Sequence, residues 1–352
     1  MKILIMAGGT GGHVFPALAV AHELKAGGHE VVWMGTPDSF ESKRVPQHGI
    51  PMEFVRVSGL RGKGVMKLLS APLVLIRALL DALAALRKQK PQVVLGMGGF
   101  AAGPGGLATW LTRRPLVIHE QNAHAGLTNR LLARIAKRVL EAFPQTFSAA
   151  LTVGNPVRAG FIEIPAPGER LARGTKRVLV IGGSQGARAL NERMPEALKL
   201  LPAELRPEVR HQAGRTLEVA QRAYARAGVM AEVSAFIEDV PAAFAWADLV
   251  VCRAGASTLA ELTAAGCASV LVPYPFAVDD HQTRNAEYLT SVGAALLIQE
   301  TNLTAEKLAA ILGELLSDRP RLIRMATAAR TRAWPDATQT IVREVLAAGA
   351  SA

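Results

Sequence analysis

The sequence predicts an α/β protein of two doubly wound lobes, each built on a parallel sheet, and three observations lead there. At 352 residues the chain exceeds what one hydrophobic core supports. Lys2–Met6 before a glycine run, and Arg177–Ile181 before Gly182-Gly183-Ser184-Gln185-Gly186, repeat one pattern of buried strand, glycine turn and helix. Further apolar runs at 30–34, 92–96, 115–119, 247–252 and 269–273 alternate with helical patterns, as right-handed crossovers between parallel strands require.

Taken in chain order, the opening run ends at Gly8-Gly9, too soon for the apolar core of a signal peptide, so export is not expected. The longest apolar stretch, 71–86, is broken by Pro72, Arg77 and Asp81 and falls short of the ~20 clean residues of a spanning helix. Within 72–88 the charged residues Arg77, Asp81 and Lys88 fall within roughly 40° of one another at 100° per residue, and apart from Arg87 near the end the rest of the circumference is apolar. Two readings stand. The helix is wedged among several neighbours, or it presents an apolar surface near Leu68, Leu69, Leu73 and Leu75 to lipid. That surface would be bordered by Arg61, Lys63, Lys67 and Arg77 and approached through the glycine-rich 59–64. Gly154-Asn155-Pro156 and the stretch Pro165-Ala166-Pro167-Gly168 place the linker around 154–170. A last helix, 336–347, follows Trp334-Pro335 without a strand of its own and is free to dock on either lobe.

Composition narrows the class. Half the residues are apolar, 5% aromatic and 20% charged, with 32 glycines, which suits a soluble α/β enzyme and excludes a disordered or fibrous chain. Cys252 and Cys267 form neither a disulfide framework nor a zinc clamp, so a reducing compartment and no structural metal are expected. Residues 1–157 hold 18 basic and 8 acidic side chains, whereas 158–352 hold 22 and 21. The first lobe therefore carries nearly all of the +11 net charge, a field that attracts polyanions or an anionic membrane leaflet. Three Tyr, four Trp and ten Phe give few stacking platforms, so a non-catalytic nucleic-acid or membrane adaptor is the weaker class and nucleic acid is not an expected partner.

The glycine turns carry the chemistry. Gly8-Gly9-Thr10-Gly11-Gly12-His13 lies where a strand ends and a helix begins, so backbone N–H groups at a positive helix end are open to an anion or sugar hydroxyl, and His13 adds a titratable group. Dinucleotide binding fails on spacing, because Val14 stands where a third glycine is needed and the second strand ends in Gly35-Thr36 rather than a carboxylate. No phosphate loop of the Gly-Lys-Ser/Thr type occurs. In the second half, Gly182–Gly186 and Arg253-Ala254-Gly255-Ala256-Ser257-Thr258 are two further strand-to-helix turns, and Glu261 lies about one helical turn beyond the last. A nucleoside diphosphate suits that layout, its ribose on the carboxylate and its phosphates at the helix start. Asp279-Asp280 are adjacent rather than spaced as a metal clamp, so helix ends and N–H donors are expected to meet leaving-group charge. Gly96-Met97-Gly98-Gly99-Phe100 and His119-Glu120-Gln121-Asn122 put bare backbone and hydrogen-bonding side chains at the carboxyl edge of the first sheet. Asn129 joins Asn122 on one side if a helix starts between them.

These motifs, with Gly103-Pro104, Gly154-Asn155-Pro156-Val157-Arg158, Gly182 to Ala187, Arg253 to Ala256 and Gln282 to Ala286, closely resemble over nearly the whole length the MurG family of peptidoglycan N-acetylglucosaminyltransferases. The resemblance implies two Rossmann-like lobes facing a central cleft, the GT-B type. Residues 1–157 would form the acceptor and membrane-associating domain, joined by the C-terminal helix 336–352, and 158–335 the donor domain. It implies inverting transfer of N-acetylglucosamine from UDP-GlcNAc to the C4 hydroxyl of the muramoyl-pentapeptide sugar on undecaprenyl diphosphate, lipid I to lipid II. The alternative is a GT-B transferase with a different acceptor. By the same resemblance main-chain groups of Ile237, beside Phe236, read uracil, and Glu261 holds the ribose diol. Ser184 and the turn of Ala256, Ser257 and Thr258 hold the diphosphate, Leu259 and Ala260 join the donor site, Gln282 and Asn285 touch the sugar, and Arg158 closes from the hinge. The first lobe would offer Thr10, Gly11, Gly12, His13, Glu120, Asn122 and Asn129, of which Thr10, Gly11, Gly12 and Asn122 are also assigned to the donor and Asn129 to the acceptor. Phe100 stands where the family often has tyrosine and receives no polar role.

An attacking alcohol must lose its proton, and a base near neutrality is wanted. His13 is favoured by its ordinary pKa, and Glu120 is the rival, serviceable only if burial raises its own. No cofactor or bound metal is expected. The expected partners are UDP-GlcNAc, the undecaprenyl-diphosphate-linked muramoyl peptide, an anionic membrane surface and cell-wall synthesis proteins, with a peripheral location on the cytoplasmic face of the inner membrane and roles in cell shape and division.

Overall fold

The structure, a computed structural model, describes residues 1–351 except Thr10, 58–64 and Thr175, and their side chains except those of 65–70, Arg173 and Val278. The chain divides into two compact units, Met1–Pro156 with the stretch from Asp336, and Val157–Pro335. The division falls one residue before the expected boundary, inside the expected linker.

The first unit is a seven-stranded sheet of β1 (Lys2–Met6), β2 (Glu30–Gly35), β3 (Met52–Phe54), β4 (Val93–Gly96), β5 (Leu116–Glu120), β6 (Arg138–Glu141) and β7 (Leu151–Thr152), in the order β3-β2-β1-β4-β5-β6-β7. Every pairing is parallel. Crossovers run through α1 (Gly11–Ala26), α2 (Phe40–Arg44), α3 (Val65–Gln89), α4 (Ala102–Leu111) and α5 (Leu127–Leu132). Successive strand residues serve opposite faces. Ile3, Ile5, Trp33 and Leu95 pack with Val14 and Leu18 of α1, while Leu4, Met6, Met34 and Val94 pack with Ala78, Ala82 and Leu86 of α3 and Ala108 of α4. Both faces are covered, which is why these strands read as continuous apolar runs.

The second unit is a six-stranded sheet of β8 (Arg177–Ile181), β9 (Glu208–Gln212), β10 (Glu232–Ser234), β11 (Leu249–Cys252), β12 (Ala268–Leu271) and β13 (Ala295–Leu297), ordered β10-β9-β8-β11-β12-β13 and again parallel throughout. Its helices are α6 (Ala159–Ile162), α7 (Pro167–Arg170), α8 (Arg188–Leu200), α9 (Leu217–Ala227), α10 (Val240–Trp246), α11 (Ala256–Ala265), α12 (His281–Thr290), α13 (Ala305–Ser317) and α14 (Arg319–Arg330). The last helix, α15 (Ala337–Ala350), docks on the first unit: Ile341, Val345 and Ala348 enter the core of α1 and β4, and Lys137 Nζ donates to the Ala348 carbonyl at 3.1 Å.

On α3, Ala71, Ala78, Ala82 and Ala85 face inward, Asp81 pairs with Arg56 and Lys88 with Glu53. Leu73, Ile76 and Leu80 remain 73%, 55% and 60% exposed, so the helix is not wedged on all sides. Leu68, Leu69, Arg61, Lys63 and Lys67 lie outside the residues or side chains described. No helix among the described residues is long and apolar enough to cross a membrane.

Candidate active site

In each sheet the order reverses once, between β1 and β4 and between β8 and β11, and open parallel sheets bind ligands at the carboxyl ends of such a pair. The glycine turns singled out in the sequence stand at these two points.

In the first unit the turn after β1 meets the turn after β4 backbone to backbone: a Cβ on Gly99 would lie 2.6 Å from the Gly8 nitrogen. The buried carboxylate of Glu41 accepts from Gly9 N–H at 3.0 Å and from the Thr36 N–H and hydroxyl at 3.1 and 2.8 Å, and these bonds outweigh burial and hold its carboxyl below the usual range. This brace was missed in sequence, because the carboxylate sits beyond the end of β2 rather than on it. His13 enters on the first turn of α1 and its Nδ1 lies 2.9 Å from Gln121 Oε1. A Cβ on Gly98 would lie 2.8 Å from both Cε1 and Nδ1 of that ring, and Gly98 has φ +93°. Alanine there meets both the ring and a backbone strain of about 1–3 kcal/mol. Gly98→Ala is expected to lower turnover at least tenfold with little change in KM for the donor, as steady-state kinetics would show.

Glu120 is 3% exposed and its oxygens are engaged in pairs. Oε1 accepts from Asn122 N–H at 3.0 Å and Nδ2 at 3.3 Å, and Oε2 from Gly126 N–H at 3.3 Å and Asn129 Nδ2 at 2.8 Å. The helix expected between Asn122 and Asn129 is α5, and both asparagines converge on this carboxylate. Asn129 is itself buried, so in this arrangement it shapes the loop rather than facing an acceptor. Gly11 and Gly12 open α1, Phe100 is exposed, and Thr10 lies outside the described residues.

In the second unit Ser184 is exposed at the tip of the turn after β8. Gly186 must be glycine: at φ +82° its Cβ would lie 2.3 Å from Thr216 Oγ1. Thr216 Oγ1 accepts from Asn191 Nδ2 at 2.7 Å, and Asn191 Oδ1 lies 2.9 Å from Nε2 of the buried His211, a brace that left no spacing signal in the sequence. After β11, α11 begins at Ala256 with Gly255 as an N-cap that has no side-chain bond to give, and Ser257 and Thr258 are half-buried in its first turn. The Leu259 side chain is buried and its N–H donates to Gly255 O at 3.0 Å; Ala260 lies one residue deeper in the helix. Arg253 donates to the carbonyls of Val272 and Pro273 at 3.2 and 3.1 Å and pairs with Glu300. Asn285, expected at the sugar, is fully buried and donates to Ala254 O at 3.2 Å, so it too braces this turn. Gln282 is half-buried, its Oε1 accepting from Tyr274 N–H at 2.9 Å.

Glu261, on the second turn of α11, lies 3.4 Å from the guanidinium of Arg158; burial pushes its carboxyl up to about 7 against the pull of that cation. Ile237 lies between β10 and α10 beside a cavity of about 180 Å³ that Ser234 and Ala242 also line. Among the described residues no three His, Cys, Asp or Glu side chains group to hold a metal ion.

Two doubly wound units, each with a glycine turn at its switch point, one with an imidazole and the other with a half-buried carboxylate nearby, match a glycosyltransferase of the GT-B class. Residues 3–141 match the glycosyltransferase family 28 N-terminal domain and residues 177–341 the family's C-terminal domain. The chain belongs to the MurG family within glycosyltransferase family 28. It is 55% identical over 348 residues to the UDP-N-acetylglucosamine–N-acetylmuramyl-(pentapeptide) pyrophosphoryl-undecaprenol N-acetylglucosamine transferase of Alkalilimnicola ehrlichii, covering 97% of this chain and 98% of that one. The Marinobacter nauticus protein of the same description is 52% identical, covering 99% and 97%. The crystal structure of Acinetobacter baumannii MurG superposes with a TM-score of 0.86 at 42% identity over 98% of this chain and 99% of that one. The glycosyltransferase VinC, 16% identical with a TM-score of 0.67 over 100% of both chains, shares the fold. An enzyme of this family leaves no room for the non-catalytic adaptor.

Proposed function

We propose that the protein transfers N-acetylglucosamine from UDP-GlcNAc to the C4 hydroxyl of the muramoyl-pentapeptide sugar on undecaprenyl diphosphate, with inversion, converting lipid I to lipid II in peptidoglycan synthesis. The observation that carries the reading in geometric terms is the placement of His13 and Glu261 beside the switch-point turns of their respective units. Glu261 takes the ribose diol, the first-turn N–H groups of α11 and Ser184 take the diphosphate, and Ile237 offers main-chain groups to uracil. As the sugar–phosphate bond breaks, charge grows on the departing UDP, and donors already aimed at that position stabilise it without reorganising. This role for helix-end dipoles, with no resident metal, is part of the proposal.

His13 Nε2 receives the proton of the attacking C4 hydroxyl. Glu120 is assigned a different task. Its four accepted hydrogen bonds suit an ionised carboxylate that orders residues 122–129, and an oxygen already holding two donors has no lone pair to spare for an alcohol. A transfer assay with a short-chain muramoyl lipid tests the reaction. Product is expected with UDP-GlcNAc and this acceptor, whereas equal transfer to a lipid-free sugar would overturn the acceptor assignment.

A membrane-facing surface belongs to the same proposal. Leu73, Ile76 and Leu80 of α3, Leu107, Trp110 and Leu111 of α4, and Leu127 and Leu131 of α5 are exposed on helices packed α3 on α4 and α4 on α5, with the exposed cations Arg77, Arg113, Arg130 and Arg134 among them. Exposed apolar side chains on neighbouring helices in a basic field suit an anionic leaflet, the cytoplasmic face of the inner membrane. Each apolar side chain contributes about 1.5–3 kcal/mol when fully buried. The triple variant Leu73→Gln, Ile76→Gln, Leu80→Gln is therefore expected to lose at least tenfold in co-sedimentation with phosphatidylglycerol vesicles; unchanged binding would remove this face from the proposal.

A further inference from the structure

We propose that Gln121 is a positioning residue that holds the proton of His13 on Nδ1, leaving Nε2 as the basic nitrogen, and that Gln121 is itself oriented by His119 and Gly154. The inference rests on the reading of His13 as the base. At the far end of the chain of hydrogen bonds stands a carbonyl oxygen, which can only accept. Gly154 O lies 2.9 Å from His119 Nε2, so that nitrogen carries the ring proton. His119 is fully buried, and burial depresses its pKa to about 4, so the ring is neutral and its Nδ1 presents a lone pair. Gln121 meets that lone pair at 3.1 Å, which only its NH₂ can satisfy, and the same nitrogen donates to His119 O at 3.3 Å. The carbonyl end of Gln121 is thereby turned to His13, 2.9 Å from Nδ1, where it accepts a hydrogen bond and has no hydrogen to donate. Flipping the amide would set oxygen against lone pair at one end and strand both groups in a buried place.

The surroundings keep this order. Gln121 is 1% exposed, and Asn155 Nδ2 donates to its main-chain oxygen at 2.9 Å, so Gly154 and Asn155 of one motif fix His119 and Gln121 of another. The other face of the His13 ring lies against Gly98. A glutamine orients the imidazole without adding charge. The titratable groups of the adjoining segments are neutral His119, Glu120 with its oxygens on Asn122, Gly126 and Asn129, and Glu41 with its oxygens on Gly9 and Thr36; the turn after β4 brings none.

The test uses the full-length protein, its histidine nitrogens labelled with ¹⁵N and the His13 signals assigned by their loss in His13→Asn, together with steady-state kinetics across pH. At pH 8 the wild type is expected to show His13 protonated on Nδ1. Gln121→Leu is expected to show mixed tautomers and at least a tenfold lower kcat, with the donor KM within about twofold. Gln121→Glu, nearly isosteric, is expected to keep the tautomer while moving the acid limb of kcat upward by a pH unit or more, because a carboxylate favours the imidazolium. Retention of the Nδ1 tautomer in Gln121→Leu, or an unmoved acid limb in Gln121→Glu, would overturn the proposal; the glutamate variant decides it alone if the leucine variant fails to fold. Lost tautomer control with wild-type turnover would instead overturn the reading of His13 as the base.

Discussion

His13→Ala is expected to lower kcat at least a hundredfold while leaving the KM for UDP-GlcNAc within about twofold. Positioned general bases contribute about 10²- to 10⁴-fold, and a hundredfold loss corresponds to about 2.7 kcal/mol of transition-state stabilisation. The loss should fall on turnover because the imidazole acts on the acceptor's proton, whereas Glu261, Ser184 and Ile237, proposed to hold the nucleotide, lie on the other unit. Glu120→Gln separates the two candidate bases. It keeps the shape of a carboxylate whose bonds run to Asn122, Gly126 and Asn129, so its effect should appear as a lower melting temperature and a weaker acceptor KM, with kcat reduced less than tenfold. Wild-type turnover in His13→Ala, or a larger kcat loss in Glu120→Gln than in His13→Ala, would reverse the assignment.

Glu261→Ala should do the opposite, raising the donor KM about 10- to 100-fold with kcat at saturation nearly unchanged, because hydrogen bonds to a charged group contribute about 1.5–3 kcal/mol. The pH dependence sharpens this. The Glu261 carboxyl titrates near 7 in the free protein, and the ribose diol donates to its ionised form, so binding favours loss of the proton. Donor affinity should therefore be flat above pH 7 and weaken below it, approaching tenfold per unit. UDP-GlcNAc is the ligand to use, since its diphosphate, esterified at both ends, has no proton titrating near neutrality. Calorimetric titrations at pH 5.5, 6.5, 7.5 and 8.5 would show the slope, and Glu261→Gln should abolish it; a slope that persists in the glutamine variant would assign the titration to another group.

What could be read from the sequence follows from how each element is stabilised. Strands buried on both faces, such as β1, β4, β8 and β11, announce themselves as apolar runs before glycines. Strands such as β6 and β9 do not, because Arg138-Val139-Leu140-Glu141 and Glu208-Val209-Arg210-His211-Gln212 mix charge with apolar residues and take their place only by pairing with neighbours. The placement of candidate residues was legible where a residue type is tied to a turn, as with His13, Ser184 and Glu261, which lie at or beside the switch-point turns. It was not legible where a side chain works through another. Asn285 and Asn129 are polar residues near a turn in sequence, and only burial reveals that they brace backbone or a carboxylate. The Glu41 brace and the alignment of Gly154 with His119 join residues 32 and 35 positions apart, across strands that sequence alone leaves unordered.

The central claim is that the second unit grips the nucleotide sugar, and the most direct measurement is a crystal structure of the protein with UDP-GlcNAc. The ribose hydroxyls are expected on the Glu261 carboxylate, the diphosphate against Ser184 and the first turn of α11, and the uracil beside Ile237. A nucleotide seated instead on the Gly8–Gly12 turn of the first unit, with Glu261 still paired to Arg158 and untouched by ligand, would contradict it.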